Sequence, residues 1–268
     1  MNPNQWGWNP GDPGSLCMNV SRTEIGLEKC NADNIVSQIT TFNNNTYSTN
    51  TTAPHFSVTW QYPQGAETQP VHAFPNIKLD TNADGVMSNR FPTAIQSIKT
   101  MNVDVRWTYG LGTRPANTTD VPGLTAAQVN TNVAIDMFLD SDKGKSQSST
   151  DAKFEVMVWL GTIGASTQPI GFAQGAVTSQ VVNGTTFSMY FGQNGLGQYV
   201  LTWVAAQPVE KFVGDIAPLL TTIPSLGRAD YPAAGDYLGY MGLGSEALWT
   251  PQQVTFDVSH LSMDVRST

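Results

Sequence analysis

What most constrains this chain is a repeated short alternation of apolar and polar residues, broken at steady intervals by clusters of Gly, Pro, Asn and Asp. HFSVTWQY (55–62), VHAFPNIKL (71–79), AIQSIKTMNVDVRWTY (94–109), NTNVAIDMFLD (130–140) and KFEVMVWL (153–160) all follow it. QPIGFAQGAVTSQVV, TTFSMYFG, GQYVLTWVAA, GDYLGYMGLGSEALW and QVTFDVSHLSMDV carry it to the C-terminal end. A period of two sends successive side chains to opposite faces of a strand, and the intervening residues are turn formers. Only VEKFVGDIAPLLTTI (209–223) has helical spacing, through Phe212, Ile216, Leu219 and Leu220, and Pro218 inside it predicts a short or broken helix. Many short strands with one short helix predict an all-β sandwich or jelly roll. With 268 residues, no internal repeat and no linker, one domain over 1–268 is expected. NADNIVSQITTFNNNTYSTNTTAP (31–54) is low in complexity and is expected to be a loop.

Composition narrows the partners. Charged residues make up 13%, about half the usual share. The net charge of -8 and pI near 4.7 argue against nucleic acid and anionic membrane surfaces, which need clustered Lys and Arg. No apolar run approaches the roughly 20 residues that span a bilayer. The N-terminal MNPNQWGWNPGDP is polar and reads as no signal peptide, so a secreted protein would be a processed form. Asn19, Asn44, Asn50, Asn117 and Asn183 head glycosylation sequons, which favours secretion weakly. Cys17 and Cys30 are the only cysteines. A secreted chain would pair them, and a reducing compartment would leave two thiols. They and the scattered His55, His72 and His260 offer no metal-ligand spacing, so neither metal nor cofactor is expected. DTNADG (80–85) begins like a calcium loop, but Phe91 occupies the twelfth position where a bidentate Glu is needed, so a plain turn is expected.

KFEVMVWL raises the chemical question. Phe154, Val156, Val158 and Leu160 form a core face, which leaves Glu155, Met157 and Trp159 together on the other. Glu155 could be an ordinary solvated carboxylate. Yet Met and Trp exposed together make an apolar patch of the kind that binds ligands, and a carboxylate against it loses water and gains pKa. Glycoside hydrolysis requires a second carboxylate. NVAIDMFLD offers Asp136 opposite a core face of Val133, Ile135, Met137 and Leu139. LGYMGLGSEALW offers Glu246 near Trp249, although a Glu after Gly-Ser is more commonly a turn residue. Trp60, Trp107 and Trp203 could each stack on sugar or fill the core.

These stretches resemble glycoside hydrolase family 12. FEVMVWLG is similar to that family's nucleophile strand, roughly E-[ILV]-M-I-W, and GLGSEAL to its acid/base segment, roughly G-[TS]-E, about 90 residues later. NQWG (4–7) resembles its N-x-W-G, VTWQY with HAFPNIKL its W-x-W and Y-P-N, and NVAIDMFLD its N-V-A-Y-D. QPIGFAQG and TFSMYFGQNG resemble its P-I-G and G-x-N-G segments, all in the same order. The resemblance implies a β-jelly roll of two antiparallel sheets with a concave cleft for a polymer. It also implies a retaining endo-acting hydrolase of β-1,4-glucan, either xyloglucan or a cellulose-type or mixed-linkage chain. Glu155 would be nucleophile, Glu246 general acid/base, and Asp136 a hydrogen-bonding support for Glu155. Met157 and Trp159 would lie in the cleft, Trp6 and Trp60 would stack on sugar, and Asn4 would hydrogen-bond nearby. A secreted monomer without cofactor is implied, with an acidic pH optimum expected from the coupled carboxyls and the low pI.

The match departs from the family in three places. Only three residues precede Asn4, residues 22–54 form an apparent insertion in which Cys30 could serve as partner to Cys17, and Ala247-Leu248 replaces the pair after the acid/base Glu. These touch substrate choice more than chemistry. Competing readings are a non-catalytic glycan-binding jelly roll or pseudoenzyme, and an effector whose surface is recognised by a host receptor.

Overall fold

The computed structural model describes residues 2–6, 15–22, 25–30, 55–63, 71–79 and 91–268, the first three stretches as backbone only. Its strands are β1 (Asn2–Trp6), β2 (Ser15–Arg22), β3 (Ile25–Cys30), β4 (His55–Tyr62), β5 (Phe74–Lys78), β6 (Thr93–Ala94), β7 (Ile98–Leu111) and β8 (Asn130–Asp140). They continue with β9 (Phe154–Ile163), β10 (Thr178–Val182), β11 (Thr185–Gln193), β12 (Tyr199–Ala205), β13 (Lys211–Asp215), β14 (Tyr237–Gly244) and β15 (Ala247–Ser267). Two short helices, α1 (Val121–Ala126) and α2 (Ala217–Thr221), interrupt them.

The strands form two layers. In the first, the order is β10–β11–β12–β9–β8–β14–β5–β1, with β6 also on β14. In the second it is β3–β2–β4–β15–β7–β13. Strand β15 belongs to both: Ala247 and Trp249 pair with Thr131 and Asn130 of β8, and its later residues pair with β4 and β7. Pairing is antiparallel except between β9 and β12, which run parallel and need the longer connection that β10 and β11 supply.

The core lies between the layers and is built by the expected alternation. Val133, Ile135, Met137 and Leu139 of β8 and Phe154, Val156, Val158 and Leu160 of β9 face Val103, Val105 and Trp107 of β7 and Val254, Phe256 and Val258 of β15. Each fully buried side chain of this kind contributes about 1.5–3 kcal/mol.

Trp60 belongs to this core too, which corrects its expected place under a sugar. Along β4, Phe56, Val58, Trp60 and Tyr62 all point inward, and Trp60 is 0% exposed with its Nε1 donating to the Tyr109 hydroxyl. A Trp in phase with Phe56 and Val58 cannot reach the opposite face.

The 209–223 stretch is the second difference. Lys211–Asp215 forms β13, with Phe212 opposite Val105 and buried in the core. Only Ala217–Thr221 is helical, and Pro218 opens this helix at its first turn, where its missing N–H costs nothing. Helix α1 had no periodic signal; Asp120 caps it by accepting from Gly123 N at 3.0 Å.

Cys17 stands opposite Cys30 in the β2–β3 register, while their side chains lie outside the described residues. So do residues 31–54, with Asn44 and Asn50, and residues 80–85, where a turn was expected. No described helix is long and apolar enough to cross a membrane.

Candidate active site

The first layer carries a second apolar surface on the face turned away from the core. Met157 and Trp159 of β9 cluster there with Phe74, Ala134 and Val200, and Ile170 and Val204 pack against them. The strand phase is as expected, but the exposure is not. Glu155, Met157 and Trp159 are only 8%, 4% and 2% exposed, because neighbouring strands and the loop at Ile170 close over them. The patch is the floor of a pocket of about 300 Å³ whose lining includes Glu155, Glu246, Met157, Trp159, Asn194 and Gln198.

Register brings the carboxyls together. On β8, Phe138 lies opposite Glu155 and Asp136 opposite Met157, so Asp136 shares the pocket face. Glu246 sits between the end of β14 and the start of β15. Asn132, at the start of β8, grips it twice: Asn132 Oδ1 accepts from the Glu246 N–H at 3.0 Å, and Asn132 Nδ2 donates to Glu246 Oε2. The backbone around Glu246 is tied to β8 as well. Thr131 Oγ1 donates to the Glu246 carbonyl and Ser245 Oγ to the Asn132 carbonyl, both at 2.6 Å. Glu246 is therefore a fixed, buried carboxyl and not a mobile turn residue.

A turn after β11 meets Glu155 from the other side. Asn194 Oδ1 accepts from Leu196 N and Gln198 N, each at 3.0 Å, which orients its amide so that Nδ2 reaches Glu155 Oε2 at 3.4 Å and Gln198 Oε1 at 2.9 Å. Gln198 is anchored in turn to the carbonyls of Ser149 and Ala152.

Burial sets the electrostatics. It pushes Glu246 up to about 7, against the downward pull of the Asn132 amide. It pushes Glu155 up to about 8, helped by the negative charge of Glu246 and opposed by Asn194. Asp136 is raised well above the usual carboxylate range, by burial first and then by both glutamates. Its Oδ1 is buried with no hydrogen-bond partner among the described residues. Three neighbouring buried carboxyls oppose one another's ionisation.

Asn4 and Trp6 lie on β1, opposite Asn76 and Phe74 of β5, and their side chains are outside the described residues. Among the described residues no group of His, Cys, Asp and Glu could hold a metal ion. Asn132, Asn194 and Gln198 were not singled out from sequence. Asn132 and Asn194 lie inside stretches quoted above, but a motif does not reveal which carboxylate an amide will face.

The profile of glycosyl hydrolase family 12 matches residues 1–266. A protein described as a probable xyloglucan-specific endo-β-1,4-glucanase A from Aspergillus fumigatus is 28% identical over 189 residues, which cover 70% of this chain and 64% of that protein. The xyloglucan-specific endo-β-1,4-glucanase A of Aspergillus niger is 26% identical over 175 residues, covering 65% and 61%. The chain thus spans under two thirds of the length of these curated relatives. Among solved structures, the catalytic domain of Humicola grisea Cel12A, in complex with a soaked thio cellotetraose, superposes with a TM-score of 0.64 at 20% identity, covering 98% of this chain and 91% of that one. Trichoderma harzianum endoglucanase 3 gives 0.61 at 21% identity, covering 80% of each chain. At these identities the structural likeness establishes the fold.

Proposed function

The chain belongs to glycosyl hydrolase family 12, and from that premise we propose that it is a retaining, endo-acting hydrolase of β-1,4-glucan chains, with xyloglucan the favoured polymer. One observation carries the reading: two buried glutamates from distant parts of the chain line one pocket over an apolar floor of Met157 and Trp159. The polymer preference rests on the names of the curated relatives.

In this mechanism Glu155 attacks the anomeric carbon as a carboxylate while Glu246 delivers its proton to the departing glycosidic oxygen. The C–O bond to the leaving sugar breaks as the Glu155 ester forms. Glu246, now an anion, takes a proton from water, and that water's oxygen displaces Glu155 from the same carbon, so configuration is retained. In the free pocket the Asn132 amide favours the anion on Glu246. A bound glycosidic oxygen is an acceptor, which favours the protonated Glu246 and returns the charge to Glu155. Asp136, which faces the same side of the sheet from β8, is assigned to hydrogen-bond Glu155 and support its charge. Asn4 and Trp6, on β1 beside β5, are assigned to hold a sugar further along the chain. The reading includes a secreted monomer that needs no cofactor, folded as one domain and stapled between Cys17 and Cys30, which face each other in register.

A 2-fluoro-glucoside with a good leaving group tests it. The expected result is a stable adduct of one glycosyl unit on the peptide containing Glu155, and retained anomeric configuration in early products. Inverted product, or an adduct elsewhere, overturns the assignment.

A further inference from the structure

Beyond the pocket, the same face of the sheet carries more aromatic surface. Ile170 packs against the Met157–Trp159 cluster, and two residues later Phe172 stands 45% exposed with its ring 5.4 Å from that of Tyr190. Tyr190 is on β11, where Phe187, Met189 and Phe191 point into the core, so Tyr190 points to the pocket face. The pairings line it up with the site: Tyr190 lies opposite Thr202 of β12, and Thr202 lies beside Met157 of β9. Two strand spacings separate Tyr190 from Met157, roughly 9–10 Å across the sheet. The same face of the sheet therefore carries the Met157–Trp159 cluster, Ile170 packed against it, and then an aromatic pair in which Phe172 is exposed and Tyr190 partly buried.

The pair is rigidly mounted. Gly171, at φ 89°, presses its backbone against β11 so closely that a Cβ there would meet the Phe191 carbonyl oxygen at 2.0 Å. A Cβ on Gly192 would meet Ile170 Cγ2 at 2.5 Å. The loop is seated on the sheet and presents Phe172 without a further ordering cost. A single exposed aromatic needs no explanation. This one is paired, braced and two residues from Ile170, which lines the pocket.

We infer that Phe172 and Tyr190 form a sugar-stacking subsite that takes the C–H face of a pyranose ring in the bound glucan, remote from the scissile bond. The inference rests on the hydrolase reading above. The rings offer the flat apolar area that a pyranose face needs, and the Tyr190 hydroxyl is a polar handle for a sugar OH. A ring this far along the sheet serves only substrates long enough to reach it.

The test compares wild type, Phe172→Ala and Phe172→Trp on xyloglucan and on an aryl β-cellobioside, which is too short to reach the pair. Phe172→Ala is expected to lower kcat/KM on the polymer roughly 5- to 20-fold more than on the aryl glycoside, mainly through KM, and Phe172→Trp to restore it. Equal losses on both substrates, or no loss on either, overturn the subsite. Wild type that cleaves neither substrate overturns the hydrolase reading instead. Calorimetry with cellohexaose then decides the subsite alone, since equal affinity of wild type and Phe172→Ala rules it out.

Discussion

Asn132 holds Glu246 from both ends, accepting its backbone N–H at 3.0 Å and donating to its carboxylate Oε2. One amide thus fixes where the proposed acid points and lowers the pKa that burial raises. Asn132→Ala removes both bonds. The expected outcome is a fall in kcat/KM of about 100-fold, with the alkaline limb of the pH profile moved upward because the group that favoured the Glu246 anion is gone. A rate loss without movement of that limb would make Asn132 a structural residue only.

The alkaline limb itself is a prediction. Once both glutamates are ionised, no proton remains for the leaving oxygen. With Glu246 near 7 and Glu155 near 8, activity should be lost as pH rises through that range. Ordinary carboxylates would have ionised near 4.5. Rates of aryl cellobioside cleavage between pH 4 and 9 measure this, and a limb near pH 5 contradicts it.

Glu155→Gln should abolish turnover and stabilise the fold. The folded-state pKa of Glu155 is raised, so its contribution to stability is fully present below about 4.5 and is lost as pH rises through about 8. Gln carries no such penalty. The variant should match wild type near pH 4 and melt on the order of 5 °C higher near pH 8. Scanning calorimetry at the two pH values checks it. Equal melting points at both would mean that Glu155 is not held in a dry site.

Trp60→Phe separates core from cleft. It removes the Nε1 donor to Tyr109 and part of a fully buried ring. A loss of about 1–3 kcal/mol in unfolding free energy is expected, read from denaturant titration, with KM for xyloglucan within about twofold of wild type. A KM effect without a stability effect would return Trp60 to the sugar.

The contrast between residues that could and could not be placed from sequence has a physical basis. Alternation along one strand is local, so the phases of Val133–Leu139 and Phe154–Leu160, and with them Asp136 and Glu155 on the far face, followed from the side-chain period alone. The phase of Trp60 was equally legible beside Phe56 and Val58, since all three occupy the inward positions of β4. The 209–223 stretch failed differently: Phe212, Leu219 and Leu220 suit a helix, but an open edge of β7 took residues 211–215 as a strand.

What the sequence determined by itself was the all-β class, the two-faced strands and the identity of the acidic residues, since each depends on neighbours a few positions apart. The tertiary structure decided that Glu155 and Glu246 line one pocket, that Asn132 grips a residue 114 positions away, and that Phe172 packs against Tyr190. Those depend on how strands remote in sequence come into register, and on how much water their packing leaves behind, which no local period encodes.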